Sequence, residues 1–337
     1  MKYRCVAGIF LLAAGLLSWS CKQSSSSNTD TDKDEANTIT PVVNFNGDTA
    51  YAYVKKQLAL GPRVTGSEGN RLCRDFIIST LERHGATDIK VQEGEVTTFT
   101  DKKLPIANIM ASYNPDTKDR ILLVAHYDTR PWADSDEMEE NRVKPIPGAN
   151  DGASGVAVLL EIARQLNAKK PNVGVDLLFV DAEDYGQASG FSTHDDSWCL
   201  GTQHWVKNMP YASDSLPRYG ILLDMVGGLN AKFHREYFSD RYASRIVDKV
   251  WSIANRSGFG DRFVNKTGGS VVDDHIFLCE AGIPTIDIIE SKSDATGTFP
   301  ATWHTMDDNI NNIDKSSLTA AGQTVLNTLH NEIRCLK

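Results

Sequence analysis

Ile121-Leu-Leu-Val-Ala125 is an unbroken apolar run that stops at His126. It leaves no polar face, so a strand built from it must be covered on both sides. The same pattern returns three times. Val175 to Val180 runs into Asp181-Ala-Glu183-Asp184, Tyr219 to Val226 carries Asp224 near its end, and Pro284 to Ile289 is a fourth run. Doubly covered strands that end in acid or imidazole leave few architectures open. The sheet must lie between two layers, with its chemistry along one edge.

The segments between these runs supply the layers. Ala50 to Leu60 has helical character and is stopped by Gly61-Pro62, and Ser67 is placed to cap a helix over Gly69 to His84. Gly152 to Leu166 puts Val158, Leu159, Ile162, Ala163 and Leu166 on one face. Tyr242 to Ser257 and Ser316 to Arg334 are two further helices, and Ile89 to Thr97 and Ile106 to Tyr113 have strand character. Strands alternating with helices predict an α/β fold: a single domain with a central mixed, mostly parallel sheet flanked by helices on both faces. No internal repeat or second hydrophobic core interrupts residues 44–337, which we assign to one catalytic domain.

The amino terminus has a different composition. Lys2 and Arg4 precede an apolar run from Val6 to Leu17, followed by Ser18-Trp-Ser-Cys21. A charged start, a short apolar core and a small residue before the break make residues 1–20 a signal peptide. The run is too short to span a bilayer comfortably. Cys21 directly after the small residue resembles the bacterial lipoprotein signal, in which the cysteine becomes the lipidated first residue; plain secretion with Cys21 an idle thiol is the alternative. Residues 21–43 are rich in Ser, Thr, Asn and Asp, cannot bury a core, and are expected to form a flexible tether. The expected location is the periplasm, with the chain anchored to a membrane through Cys21. Cys73, Cys199, Cys279 and Cys335 match no zinc-cysteine spacing, and their pairing stays open.

A formal charge of -9 without a basic cluster argues against nucleic acid as a partner. The chain is expected to work as a monomer.

Ligands of open α/β sheets bind beyond the carboxyl ends of the strands. His126, Asp128, Asp151, Glu183, Asp184, Asp224 and His304 all fall at that edge. Each has an ordinary explanation alone: Asp151 as a helix cap, His126 as a satisfied strand-end histidine, Asp224 as a turn residue. Together they are harder to dismiss. Crowded carboxylates repel unless a cation joins them, and histidine with carboxylates is a ligand set that zinc accepts. Glu183 and Asp184 are adjacent and so can face different ways, one to the metal and one free to move a proton.

The motifs His126-Tyr-Asp128, Gly148-Ala-Asn-Asp151-Gly-Ala-Ser-Gly155, Asp181-Ala-Glu-Asp184, Leu222-Leu-Asp224, Asp273-Asp-His275 and Trp303-His-Thr-Met-Asp-Asp308 resemble the zinc aminopeptidase superfamily from Phe45 to Cys335. Within it the chain most resembles the animal-type glutaminyl cyclases in their bacterial form, which convert N-terminal glutamine of peptides to pyroglutamate and release ammonia. The resemblance implies one zinc per chain on Asp151, Asp184 and His304. It implies Glu183 as the acid/base, with Asp224 and Asp273 hydrogen-bonded behind it, and Trp303 lining the substrate pocket. Animal cyclases usually have glutamate where this chain has Asp184. Trp132 and Trp198 are further candidates for pocket walls, with anchoring of their loops as the alternative. Trp205 and Trp251 fall inside helices and are expected to pack.

Two other functions remain open at this stage. A di-zinc aminopeptidase would hold a second metal on His126 and Asp224 with Asp151 shared, and those residues are present. An inactive binding protein of the same fold is the other. Trp303 before His304, the doubled Asp273-Asp274 and the Arg130-Pro-Trp132-Ala-Asp134 loop favour the cyclase.

Overall fold

The computed structural model describes residues 38–187 and 195–333. The signal peptide, Cys21, most of the tether, part of the insert from Tyr185 to Asp196, and Cys335 lie outside them. Chain order gives α1 (Gly47–Leu58), α2 (Glu68–Arg83), β1 (Thr87–Thr97), β2 (Lys103–Tyr113), β3 (Arg120–His126), α3 (Ala153–Ala168), β4 (Gly174–Val180) and α4 (Leu200–Lys207). It continues with β5 (Gly220–Leu223), β6 (Phe233–Arg235), α5 (Tyr237–Ala254), β7 (Phe263–Thr267), α6 (Asp274–Glu280), β8 (Thr285–Ile288) and α7 (Lys315–His330).

Six strands form one sheet in the order β1-β2-β4-β3-β5-β8. The pairs β4–β3, β3–β5 and β5–β8 are parallel, while β1–β2 and β2–β4 are antiparallel. The sheet is therefore mixed, with its buried half parallel. Alternation along the strands sends Ile121, Leu123 and Ala125 to one face with Val156, Val54 and Leu326, and Leu122 and Val124 to the other with Trp205 and Leu278. Each such side chain removed from water contributes about 1.5–3 kcal/mol. The one charge inside β4, Asp176, is paired: Arg120 Nε donates to it at 2.7 Å, and Tyr211 and Ser112 also donate to it.

Helix boundaries differ from the periodicity where the cap was unexpected. The helix expected from Tyr242 begins at Tyr237, because Glu236 accepts hydrogen bonds from the Phe238 and Ser239 N–H groups. A glutamate is not among the residue types that ordinarily announce a helix start. The short parallel pair β6–β7 was not expected. The folded body also begins a little before residue 44, since Ile39 N–H donates to Arg256 O and Gln323 Nε2 to Val43 O. Among the described cysteines, Cys73, Cys199 and Cys279 are free. No helix of the described residues is long and apolar enough to cross a membrane.

Candidate metal centre and pocket

The carboxyl ends of β3, β4 and β5 deliver His126, Glu183, Asp184 and Asp224 to one edge, as the apolar runs predict. Asp151 and His304 arrive differently, from turns rather than strand ends. Asp151 does not cap α3: Gly152 holds that position without a side-chain bond. Gly152 is required there, because a Cβ would collide with the His126 ring and carbonyl. The backbone is strained around the site. Ala182, Cys199, Met225 and His304 adopt left-handed φ of 51°, 55°, 46° and 55°. Such conformations cost about 1–3 kcal/mol each and persist only where the surroundings over-determine them.

Two buried carboxylates pin the neighbouring turns, and sequence reasoning gave neither that role. Asp128 accepts the N–H groups of Glu183 (3.1 Å) and Asp184 (3.2 Å). Asp308 accepts those of Asn150 (2.7 Å) and Asp151 (3.1 Å). Each donor-bearing turn is thus held from behind by one aspartate. Both residues lie inside the motifs quoted above, so the signal was present without its meaning.

Two buried donor clusters meet at Asp151. One is Asp151, Asp184 and His304; the other is His126, Asp151 and Asp224. In the first, His304 Nε2 lies 3.2 Å from Asp184 Oδ1 and 3.6 Å from Asp151 Oδ2, while Nδ1 faces Asp134 Oδ1 at 3.3 Å. Asp184 Oδ2 is buried with no hydrogen-bond partner. Two carboxylates and an imidazole around an unsatisfied buried oxygen fit a zinc ion by ligand type and by arrangement. In the second, His126 Nε2 is hydrogen-bonded to Asp224 Oδ1 at 3.1 Å and lies 3.1 Å from Asp151 Oδ1. Burial opposes charge on His126, yet the hydrogen bonds to Asp128, Asp151 and Asp224 prevail and hold its pKa well above the usual histidine value. Burial pushes Asp224 up to about 7, against the pull of His126.

Glu183 stands apart from both sets. Burial pushes it well above the usual carboxylate range; His126 pulls it back, and Asp273, Asp184 and Asp274 push it further. Cys199 Sγ lies 3.4 Å from Glu183 Oε1, a contact the sequence gave no reason to expect. Asp273 clusters with Glu183 and Cys199, but among the described residues no hydrogen bond joins it to Glu183 as the resemblance would have it. Asp224 departs from it: among the described residues its hydrogen bond goes to His126, and none joins it to Glu183. Asp273 also caps α6 by accepting the Asp274 N–H.

These groups open into a cavity of about 210 Å³. Trp198, Trp303, Phe299 and Ile289 wall it, and Asp151, Glu183, Asp184, Asp224, Asp273 and His304 supply its polar floor. Trp303 and Trp198 both stack with the His304 ring, at interplanar angles of 21° and 14°. Trp198 is fixed there because Cys199 and Leu200 N–H donate to the carbonyls of Glu183 and Ala182. Trp132 is not among the lining residues. It stands one layer back, edge-on to Tyr185 and Phe99, with Arg130 between it and Trp198. Trp205 and Trp251 are buried in helices α4 and α5, as expected.

A sheet edge carrying buried carboxylate–histidine clusters that could hold a metal, beside a buried glutamate, defines a class, and comparison gives that class a family. Peptidase family M28 matches residues 108–329, more than half of the chain, and the chain belongs to it. Within that family it is similar to the glutaminyl cyclase of Bacteroides thetaiotaomicron, solved bound to N-acetylhistamine, at 46% identity over 87% of this chain and 100% of that one, with a TM-score of 0.83. A Zn-dependent exopeptidase from Parabacteroides distasonis is equally similar, at 46% identity over 86% of this chain and 100% of that one, with a TM-score of 0.82. The glutaminyl-peptide cyclotransferase of Bos taurus is 27% identical over 288 residues, 76% of this chain and 74% of its own length.

Proposed function

We propose that the chain is a zinc-dependent glutaminyl-peptide cyclotransferase that acts on peptides and proteins with N-terminal glutamine. The observation that carries this reading is the small aromatic-walled cavity that Glu183, outside the Asp151, Asp184 and His304 set, lines together with those three residues. At about 210 Å³ the cavity is below the roughly 300–1,000 Å³ typical of sites for larger ligands, which suits one side chain. Flat indole walls suit a planar amide and the planar ring it becomes.

The reaction joins the substrate's α-amine nitrogen to its own γ-amide carbon and breaks the bond from that carbon to the amide nitrogen. Nucleophile and electrophile are already tethered, so holding one conformer supplies much of the advantage. Asp151, Asp184 and His304 would hold a single zinc, which when bound supplies Lewis-acid polarisation of the γ-carbonyl oxygen. Glu183 accepts a proton from the α-amine and returns it to the departing nitrogen, which leaves as ammonia. Burial raises its proton affinity above that of an ordinary carboxylate, the direction such a shuttle needs. Asp273, beside Glu183, keeps that carboxyl oriented, while Asp224 holds His126. Trp303 and Trp198 enclose the side chain, and Trp132 supports Trp198 through Arg130.

No water need be activated for this chemistry, whereas a di-zinc aminopeptidase would require one. The alternative retains support from the exopeptidase relative and from the presence of His126 and Asp224. Incubating the purified protein with Gln-initiated and Leu-initiated peptides separates the two. Ammonia release with ring formation is expected; free leucine without ring formation would sink the cyclase reading. Metal analysis should return one zinc per chain, and a zinc-free purified protein would favour an inactive scaffold.

The exported, periplasmic and lipid-anchored state, with a monomeric domain, belongs to the same proposal. Replacing Cys21→Ser should move the protein from the membrane fraction to the soluble one; an unchanged distribution would remove the anchor.

A further inference from the structure

Arg130 is fully buried, and the proposed chemistry gives it no part beyond linking Trp132 to Trp198. Its guanidinium forks onto Asp134, with Nε donating to Oδ1 and Nη2 to Oδ2, each at 2.7 Å. Nη1 turns the other way and donates to Asp184 O at 3.1 Å, to Gly186 O at 3.2 Å and to Asp184 Oδ1 at 3.5 Å. Its flat faces are also covered. The guanidinium carbon is 4.8 Å from the centre of the Trp198 ring and 5.1 Å from that of Trp132. One planar cation therefore touches a donor residue, the residue behind another donor, and a wall of the pocket.

From these contacts we infer that Arg130 is a positioning residue that fixes the donor set and the aromatic wall as one rigid unit. On the donor side it aligns Asp134, whose Oδ1 then faces His304 Nδ1 at 3.3 Å. A carboxylate on one ring nitrogen sets the tautomer and aims the other nitrogen at the metal position. The same guanidinium holds the backbone of Asp184, so two of the three donors depend on it. On the wall side it clamps Trp198, which stacks over His304 at 6.1 Å. Only a planar, forked cation can do all of this at once. A lysine retains the charge but has neither the bidentate geometry nor the face for two indoles. The burial of Arg130 is explained by the same arrangement, since an unpaired interior cation would be strongly disfavoured.

This inference rests on the Asp151, Asp184 and His304 assignment but not on which reaction follows. Its test therefore reads metal affinity first. Zinc affinity of the full chain is measured by competition with a chromophoric chelator for the wild type, R130K, D134N and the double variant. Melting temperatures of the zinc-free proteins are taken in parallel. The expectation is a loss of zinc affinity of about 10–100-fold in each single variant, with the double variant no worse than the weaker single one. Conservation of charge in R130K then shows that geometry matters, and a zinc-free melting temperature near wild type separates positioning from general destabilisation. A rise in KM for the Gln peptide in R130K that W198L alone reproduces ties the same cation to the wall. Wild-type zinc affinity in R130K overturns the inference, as does full additivity in the double variant. Should R130K fail to fold, D134N decides: unchanged zinc affinity overturns the link from Arg130 to His304, and weakened affinity supports it. If zinc affinity falls as expected in the variants while the zinc-loaded wild type forms no pyroglutamate, the inference stands and the cyclase reading alone fails.

Discussion

The clusters on either side of Asp151 have the same composition, two aspartates and one histidine, and differ in what holds the imidazole. His304 has Asp134 at its Nδ1, which leaves Nε2 between Asp151 and Asp184, with Asp184 Oδ2 unsatisfied. His126 has Asp128 Oδ1 somewhat farther off, at 3.5 Å from its Nδ1, and its Nε2 is engaged by Asp224 and Asp151 at 3.1 Å each. In the proposed reading the first arrangement takes a metal and the second is satisfied by a proton. Neither ligand identity nor a carboxylate behind the ring separates them; the Nε2 hydrogen bond to Asp224 in one and the unsatisfied Asp184 Oδ2 in the other do.

The largest expected effect tests that difference directly. H304A should lose its zinc and its turnover together, whereas H126Q should keep one zinc per chain while turning over more slowly. Metal analysis of both variants after dialysis is the measurement. A second zinc in the wild type that disappears from H126Q would erase the distinction between the clusters and restore the aminopeptidase reading.

Glu183→Gln comes next. It removes the proposed proton carrier and leaves both clusters intact, so kcat should fall by about 10²–10⁴-fold with zinc content unchanged. Retained activity would transfer the shuttle to another group, and lost zinc would place Glu183 among the donors.

The contrast between clusters also marks the limit of what the sequence could tell. Apolar runs ending in acid or imidazole located the sheet, its edge and the strand-borne residues, because burial on both faces and strand polarity are written in consecutive residues. His304 and Asp151 were assigned by resemblance, and their geometry depends on Asp128, Asp308, Asp134 and Arg130. Those four act across long sequence separations: Asp308 reaches Asn150 and Asp151, and Asp134 reaches His304. No local periodicity reports such a contact. Glu236 as a helix cap and Cys199 beside Glu183 were missed for a related reason, since each residue type has a more common use elsewhere.

Trp303 and Trp132 extend the comparison to the pocket. Trp303→Leu removes a wall that stacks on His304, and it should raise KM for the Gln peptide more than it lowers kcat. Trp132→Leu acts only through Arg130 and should raise KM less. Steady-state kinetics at one pH are sufficient. Equal effects would place Trp132 in direct contact with substrate.

The smallest effect belongs to Cys199, whose thiol is 3.4 Å from Glu183 Oε1. Burial pushes this thiol well above its ordinary pKa, so it stays protonated and can donate. A donor to the carboxylate favours its ionised form. C199A removes that donor, so Glu183 should hold its proton more tightly. Because Glu183 in the proposed mechanism must be ionised to accept the amine proton, the acid limb of kcat should move to higher pH. One hydrogen bond has a net worth of about 0.5–1.5 kcal/mol, so kcat at a fixed pH on that limb should fall only about two- to tenfold. The zinc content should not change, because Cys199 touches the proton carrier and neither donor set. A limb that stays in place would show that the thiol is packing beside Glu183 rather than bonding to it.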